Sequence, residues 1–342
     1  MKNKVVNPVR QRSDNLSRVR WPVFTALVLA FLLQPVTGFS EELPRDTGYL
    51  FALAVADKPT VHGVGERIRI AKGLEPDRVA EFNGVHEAVS FPGDTDPDAD
   101  DFKEEAYGQL RAEIRMTFAE LSSVRARIEV IKQSLELLRR MVLTSTGLYG
   151  EGKLDQGQAL QAQLEWEKLA GNLQLLEKRE KIYSIRLNVL TGTPTENSVP
   201  ILQPLQEYRP DFDSRTMMES YRSRRFLDLF QQLIRQETQP TGEGLHGSDS
   251  LDVEADAFIT VVRISLESLY QQARRYRTSI IPKAELAHSI RLELYKNGKE
   301  DFSSLIEGLL YLCEMRSEYH ALLGETHGLK ARVEYLTGVV ID

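Results

Sequence analysis

Between Leu110 and Val142 the chain carries two interleaved apolar series. Ile114, Leu121, Ile128, Leu135 and Val142 recur every seven residues, and Leu110, Val124, Ile131 and Leu138 form the companion series, interrupted only by Thr117. Such an a/d seam puts all of its apolar surface on one stripe of a long helix, and that stripe needs a partner helix. Glu, Arg and Lys fill the positions between, and no proline interrupts Phe102–Lys153. Glu136 and Arg139 are expected on the solvated side of this helix.

A second helical stretch is expected from about Leu154 to Leu190, through Leu160, Leu164, Leu169, Leu173, Leu176, Tyr183 and Leu187. It ends at "LTGTP" (190–194), where Gly followed by Pro gives a C-terminal stop. The same unit then recurs. "LYGEGKLD" at 148–155 is matched by "LYKNGKED" at 294–301, and "LTG" at 190–192 by "LTG" at 336–338. Gly152 and Gly298 lie 146 residues apart, as do Gly192 and Gly338, so turn and terminator keep their spacing in both copies. Leu160 aligns with Ile306, Leu164 with Leu310, Leu176 with Leu322 and Leu187 with Val333. Each copy reads as a helical hairpin whose return limb, at about 1.5 Å per residue, spans roughly 55 Å. The fold class is all-α dominated: two long antiparallel coiled-coil αα-hairpins from an internal duplication, with little or vestigial β structure. The expected division is 101–194 for the first hairpin, 195–252 for a connector with a short helix at Ser214–Gln236, and 253–342 for the second hairpin.

Within 41–100 the sequence reads as irregular. Tyr49–Ala56 ("YLFALAVA") suits a buried strand or a short helix, Arg67–Ile70 alternates with period two, and "FPGDTDPDADD" is an acidic, turn-rich run. Ahead of this, Lys2, Lys4, Arg10, Arg12, Arg18 and Arg20 precede the apolar run Val23–Leu33, followed by Val36, Gly38 and Ser40. A basic segment, a short apolar core and small residues make a signal-peptide pattern over residues 1–40. This eleven-residue run gives about 16 Å of helix against a bilayer core of roughly 30 Å, which favours a cleaved signal over a retained anchor. With a single cysteine, Cys313, there is no intramolecular disulfide and no cysteine-based metal cluster. The formal charge of −7 argues against a nucleic-acid partner. An acidic, nearly cysteine-free exported chain fits a bacterial periplasm or outer membrane.

At each tip the chain must reverse within a few residues. Gly152 and Gly298 suit a positive-φ position, and Asp155 and Asp301 can cap the returning helices. These residues suffice for a turn, and two equivalent hairpins need two equivalent turns. The segments 143–192 and 280–338, each with Tyr-x-x-Gly, a nearby acid, a long helix and a Leu-x-Gly end, resemble the TolC-like outer-membrane efflux family. "IIPKAE" (280–285) and "VSFPG" (89–93) are similar to the family's usual proline before the second turn and its Phe-Pro-Gly before the first long helix. The resemblance covers about 101–194 and 255–338. It implies a homotrimer whose hairpins form a hollow periplasmic α-barrel beneath a 12-stranded outer-membrane β-barrel, four strands per chain. It implies partners too: a periplasmic adaptor protein, and an inner-membrane pump that feeds the conduit. By position, Tyr149, Gly152, Lys153, Asp155, Tyr295, Gly298, Lys299 and Asp301 would sit at or beside the adaptor-docking tips.

The chain departs from that family where the membrane strands belong. Spanning strands need about 9–11 residues of alternating character. The place for the second pair, 237–257, reads "ETQPTGEGLHGSDSLDVEADA", polar and too short, and the stretch before Phe91 offers one or two candidates. Two functions follow: a TolC-like conduit for small molecules, or a barrel-less periplasmic scaffold that binds an adaptor without forming a pore. No enzyme is expected, since no nucleophile–base pair has motif support, and no cofactor or metal either. "DTDPDADDFKEE" (94–105) spaces its acids as a calcium loop does but has Ala99 where such loops need Gly. His320 and His327 are seven residues apart, too far for a helical zinc pair, and "GEGLHG" (242–247) lacks the Lys-Ser/Thr of a phosphate loop.

Overall fold

The structure, a computed structural model, describes residues 46–74, 76, 99–152, 154–199, 203–211, 213–221 and 248–341. Among the described residues there are helices and connecting turns but no strand. The acidic run at 94–98, the "GEGLHG" segment and most of the places considered for membrane strands lie outside them.

The stretch expected to be irregular contains two helices, α1 (Thr47–Val55) and α2 (Val61–Gly73). Asp46 caps α1 by accepting from the Tyr49 amide at 2.8 Å, and Thr60 caps α2 through the Gly63 amide at 3.1 Å. Tyr49–Ala56, open between strand and helix, is therefore helical up to its last residue. The apparent two-residue alternation at Arg67–Ile70 is part of a 3.6-residue pattern. Val61, Val64, Gly65, Ile68 and Ala71 share the buried face, and an i, i+3, i+4, i+7 stripe outweighs a four-residue alternation.

α3 (Ala99–Gly150) is continuous over 52 residues, about 78 Å. Its heptad series forms the core: Leu110, Ile114, Leu121, Val124, Ile128, Ile131 and Leu138 are all buried, and Thr117 fills the gap in the series at 0% exposure. Each such leucine or isoleucine contributes about 1.5–3 kcal/mol through removal from water. α4 (Gln156–Thr191) and α7 (Phe302–Thr337) are the two return limbs, each of 36 residues. Both stop at a left-handed glycine, Gly192 at φ 73° and Gly338 at φ 69°. The duplication extends to these ends: Thr191 Oγ1 and Thr337 Oγ1 each donate to the carbonyl four residues back. Asn188 and its counterpart Glu334 each tie down the chain beyond the helix, through the Thr195 and Asn197 carbonyls and the Ile341 amide respectively.

The outward limb of the second hairpin is broken. α5 (Ser248–Arg275) passes through a π-helical turn at Tyr276–Ile280 into α6 (Ile281–Lys296). Pro282 is the physical cause: it has no N–H to give, and its ring crowds the carbonyl one turn back. One extra residue in the turn relieves the clash, and the Ile281 amide donates to the carbonyl of Tyr276, five residues away. The outward limb of the second hairpin, described from Ser248 onward, is thus jointed.

The limbs lie side by side. α3 packs against α4 on one flank and α7 on the other, and α7 in turn packs against α5 and α6. α3 and α7 come close together at Gly324, where an added Cβ would stand 2.6 Å from the Ser123 Cβ. Beside that contact, Ser123 Oγ donates to the His320 carbonyl at 2.7 Å. α1 and α2 cover the end of α3 and α4 away from the first tip, around Leu50, Ile68, Leu110, Ile114, Leu187 and Leu190. A buried ion pair spans this end: Arg186 Nη2 lies 2.9 Å from Glu113 Oε2, with side chains only 8% and 7% exposed, and Lys72 approaches the same carboxylate at 3.8 Å. Of the helix expected at Ser214–Gln236, residues 214–221 are described and helical, capped by Asp213; the rest lies outside the described residues.

Candidate functional site

Two tips and two flanks are the surfaces on which this arrangement can act. At the first tip, the Gly152 amide donates to the Tyr149 carbonyl at 2.9 Å, and Gly152 sits at φ 67°. Asp155 starts the return limb, its Oδ1 accepting from the Gly157 amide at 2.6 Å. At the second, the Gly298 amide donates to the Tyr295 carbonyl at 3.0 Å with φ 66°, the Lys299 amide donates to the Leu294 carbonyl, and Asp301 Oδ1 accepts from the Ser304 amide at 2.7 Å. That last bond, with further bonds from Ser304, holds the Asp301 carboxyl below its usual range. A Cβ on either tip glycine would meet nothing within 4 Å. The left-handed backbone alone, not crowding, requires glycine there. Lys153 lies outside the described residues. Ser303 Oγ donates to Gln161 Oε1 at 2.7 Å, so the first turns of the two return limbs touch and both tips lie at the same end.

The tips differ in what they present. Tyr149 is 46% exposed, whereas Tyr295 packs against Phe302 with ring centroids 5.5 Å apart, and Phe302 is buried. The first copy has Gln156 where the second has Phe302, so the second tip carries its own aromatic anchor. Burial accordingly pushes the Tyr295 hydroxyl up from its ordinary range.

On the flanks, Leu160 and Leu164 of the second helical stretch are 55% and 50% exposed, although Ile306, the counterpart of Leu160, is fully buried. The reason is position: α7 runs between α3 and α5–α6, while α4 packs along its length against α3, meeting α7 at Gln161–Ser303 and α1 and α2 at its other end. Leu160, Leu164, Leu175 and Ile185 fall within about 80° of one another around α4 at 100° per residue, so the exposed apolar surface is one stripe. On the opposite flank Val253, Val261 and Ile264 of α5 and Leu286 and Ile290 of α6 are exposed in the same way. The α4 stripe aligns with apolar residues of the second copy, Ile306, Leu310, Ala321 and Ala331, whereas Val261, Leu286 and Ile290 of the other flank align with Arg115, Arg140 and Thr144. His320 and His327 do not converge on a metal site. The His327 Nε2 is 2.7 Å from the Gln206 carbonyl, and burial lowers the basicity of both rings. Among the described residues no cluster of His, Cys, Asp or Glu could hold a metal ion, and no helix is long and apolar enough to cross a membrane.

Comparison with known proteins supports the fold. No protein-family model matches the chain, and no curated protein matches it. Solved structures do. The outer membrane protein VceC from Vibrio cholerae superposes with a TM-score of 0.55 at 13% identity, covering 86% of this chain and 97% of that one. The Campylobacter jejuni CmeC outer membrane channel gives 0.54 at 12% identity, covering 85% of each. CusC, described in terms of folding and transmembrane channel formation, gives 0.54 at 9% identity, covering 85% of this chain and 95% of that one. The chain therefore has the helical-hairpin fold of TolC-like outer-membrane channels.

Proposed function

We propose that the chain is one subunit of a TolC-like export conduit, a homotrimer at the bacterial outer membrane and periplasm. Its tips would dock a periplasmic adaptor linked to an inner-membrane pump, and small molecules would pass through the closed ring. The observation that carries this reading is the pair of apolar flanks. A four-limb wall with an exposed stripe on α4 and another on α5–α6 can bury both by meeting further copies edge to edge, and head-to-tail contacts of this kind form a ring where the rotation between copies closes. Channel structures of the same fold support the conduit, and the signal-like residues 1–40 support export.

A second reading is a barrel-less periplasmic scaffold. It is favoured by the helical state of Ser248–Ala257, which occupies part of the stretch where the second strand pair would have to sit. Membrane fractionation decides between them. The conduit should appear in the outer membrane as a heat-modifiable trimer that conducts in planar bilayers. A soluble periplasmic trimer without conductance would establish the scaffold, and a monomer in both fractions would overturn the ring itself. For the tips, Asp301→Arg should weaken adaptor cross-linking without change in helix content. Unaltered cross-linking would leave Asp301 only its capping role.

A further inference from the structure

The duplication allows one contact to be seen in two chemical versions. In the first hairpin, Val142 of the outward limb and Ala162 of the return limb occupy the positions that His288 and Gly308 hold in the second. Val142 is packed into the apolar core between the hairpins, and Ala162 is fully buried in it. In the second hairpin the apolar pair is replaced by an imidazole lying over a glycine. A Cβ at Gly308 would stand 3.4 Å from His288 Nδ1 and 3.0 Å from Arg291 Cδ. The missing side chain is thus what admits both residues. His288 Nδ1 is shielded from solvent and has no hydrogen-bond partner among the described residues.

The surrounding charges are unfavourable to a cation. On α6, Arg291 lies one turn from His288, donating to the Ser304 carbonyl at 2.7 Å and approaching Glu307 of α7 at 3.9 Å. From α7, Arg316 acts electrostatically on the ring and pairs with Glu285 of α6 at 2.6 Å. Both carboxylates that α6 and α7 bring to this region are already committed to arginines, and the π-helical turn before α6 supplies Arg277, paired with Glu207. Burial, and then Arg291 and Arg316, keep the imidazole from protonating at its usual pH.

We propose that His288 is an acid sensor for the distal part of the second hairpin: protonation places a third positive charge between Arg291 and Arg316 and loosens α6 from α7 next to the tip. A histidine held neutral in the folded state binds fewer protons than its unfolded counterpart. Its stabilising contribution is therefore complete well above pH 6.5, the ordinary value, and is lost as the pH falls below it. The joint at Tyr276–Ile280 confines the loosening to α6, because α5 is already separated from α6 by the π-helical turn. The first hairpin, with Val142 in this place, has no such response.

The test is hydrogen exchange on the full-length chain, read for the peptides spanning Leu286–Leu294 and, as internal control, Arg140–Leu148. After correction for intrinsic exchange, protection of 286–294 should drop about fivefold or more between pH 7.5 and 5.5, with 140–148 unchanged. His288→Val, which installs the first hairpin's residue, and His288→Gln should each flatten the response. Flattening in either variant that retains wild-type helicity supports the sensor. A flat wild type, or an undiminished pH response in both variants, would overturn it and leave the conduit reading untouched.

Discussion

The two hairpins arose from one pattern and have diverged in opposite directions. The first is stiff: α3 runs unbroken for 52 residues, with an apolar seam along most of its length. Its tip presents an exposed tyrosine and three glycines, Gly147, Gly150 and Gly152. The second is jointed at Pro282, carries a histidine and two arginines in its limb contact, and fixes its tip with the Tyr295–Phe302 pair. Equal turns and equal terminators thus coexist with different mechanics. Spacing is held where a helix must begin or end, and chemistry is free to change where two limbs only need to touch.

Paired substitutions at aligned positions sharpen that contrast. The largest effect should come from the buried ion pair. Arg186→Ala leaves buried Glu113 only the more distant Lys72 and should cost about 3–5 kcal/mol, while the aligned Arg332→Ala, on an exposed position, should stay within about 0.5 kcal/mol. Chemical denaturation of the two variants measures both, and equal losses would mean that the ends of the two return limbs are not differentiated as described. Next comes the joint. Glu136, aligned with Pro282, is exposed in α3, so Glu136→Pro should cost about 3 kcal/mol and break that helix. Pro282→Glu should instead raise exchange protection across Ile280–Leu286. A proline tolerated equally well in both limbs would show that the π-helical turn has a cause other than Pro282. The smallest effects belong to the caps. Asp155→Ala and Asp301→Ala each remove the side-chain cap of a return limb and should cost about 1 kcal/mol apiece, a near-equality that thermal melts can confirm or break.

Much of this was legible in the amino-acid order. The a/d series from Leu110 to Val142 gives the long helix and its buried face, because a seven-residue repeat specifies a stripe without knowledge of the partner. Gly152, Gly298, Gly192 and Gly338 mark turns and stops, because each needs a left-handed backbone that other residues adopt at a cost. The order of the limbs was not legible. Leu160 and Ile306 are equivalent in sequence, and only the three-dimensional arrangement puts one at a flank and the other between two limbs. The Glu113–Arg186 pair is 73 residues apart with no local signature. α2 was obscured by Gly63 and Gly65, poor helix formers, and by the arginines at 67 and 69, which mimic a strand's alternation. Pro282 was visible, but its consequence was not, since proline ends some helices and in others only inserts a residue.

At Gly324 and Ser123 the two hairpins come too close for another methyl group, and this gives the molecule a rivet. A scissoring of one hairpin against the other about that contact would swing its two ends by unequal amounts. The rivet is off-centre: along α7 it stands about 33 Å from Phe302 and about 20 Å from Thr337, at 1.5 Å per residue. Any scissoring is therefore amplified toward the tips, by about 1.7 relative to the opposite end, and a twist of a few degrees at the pivot reaches the tips as ångströms of travel.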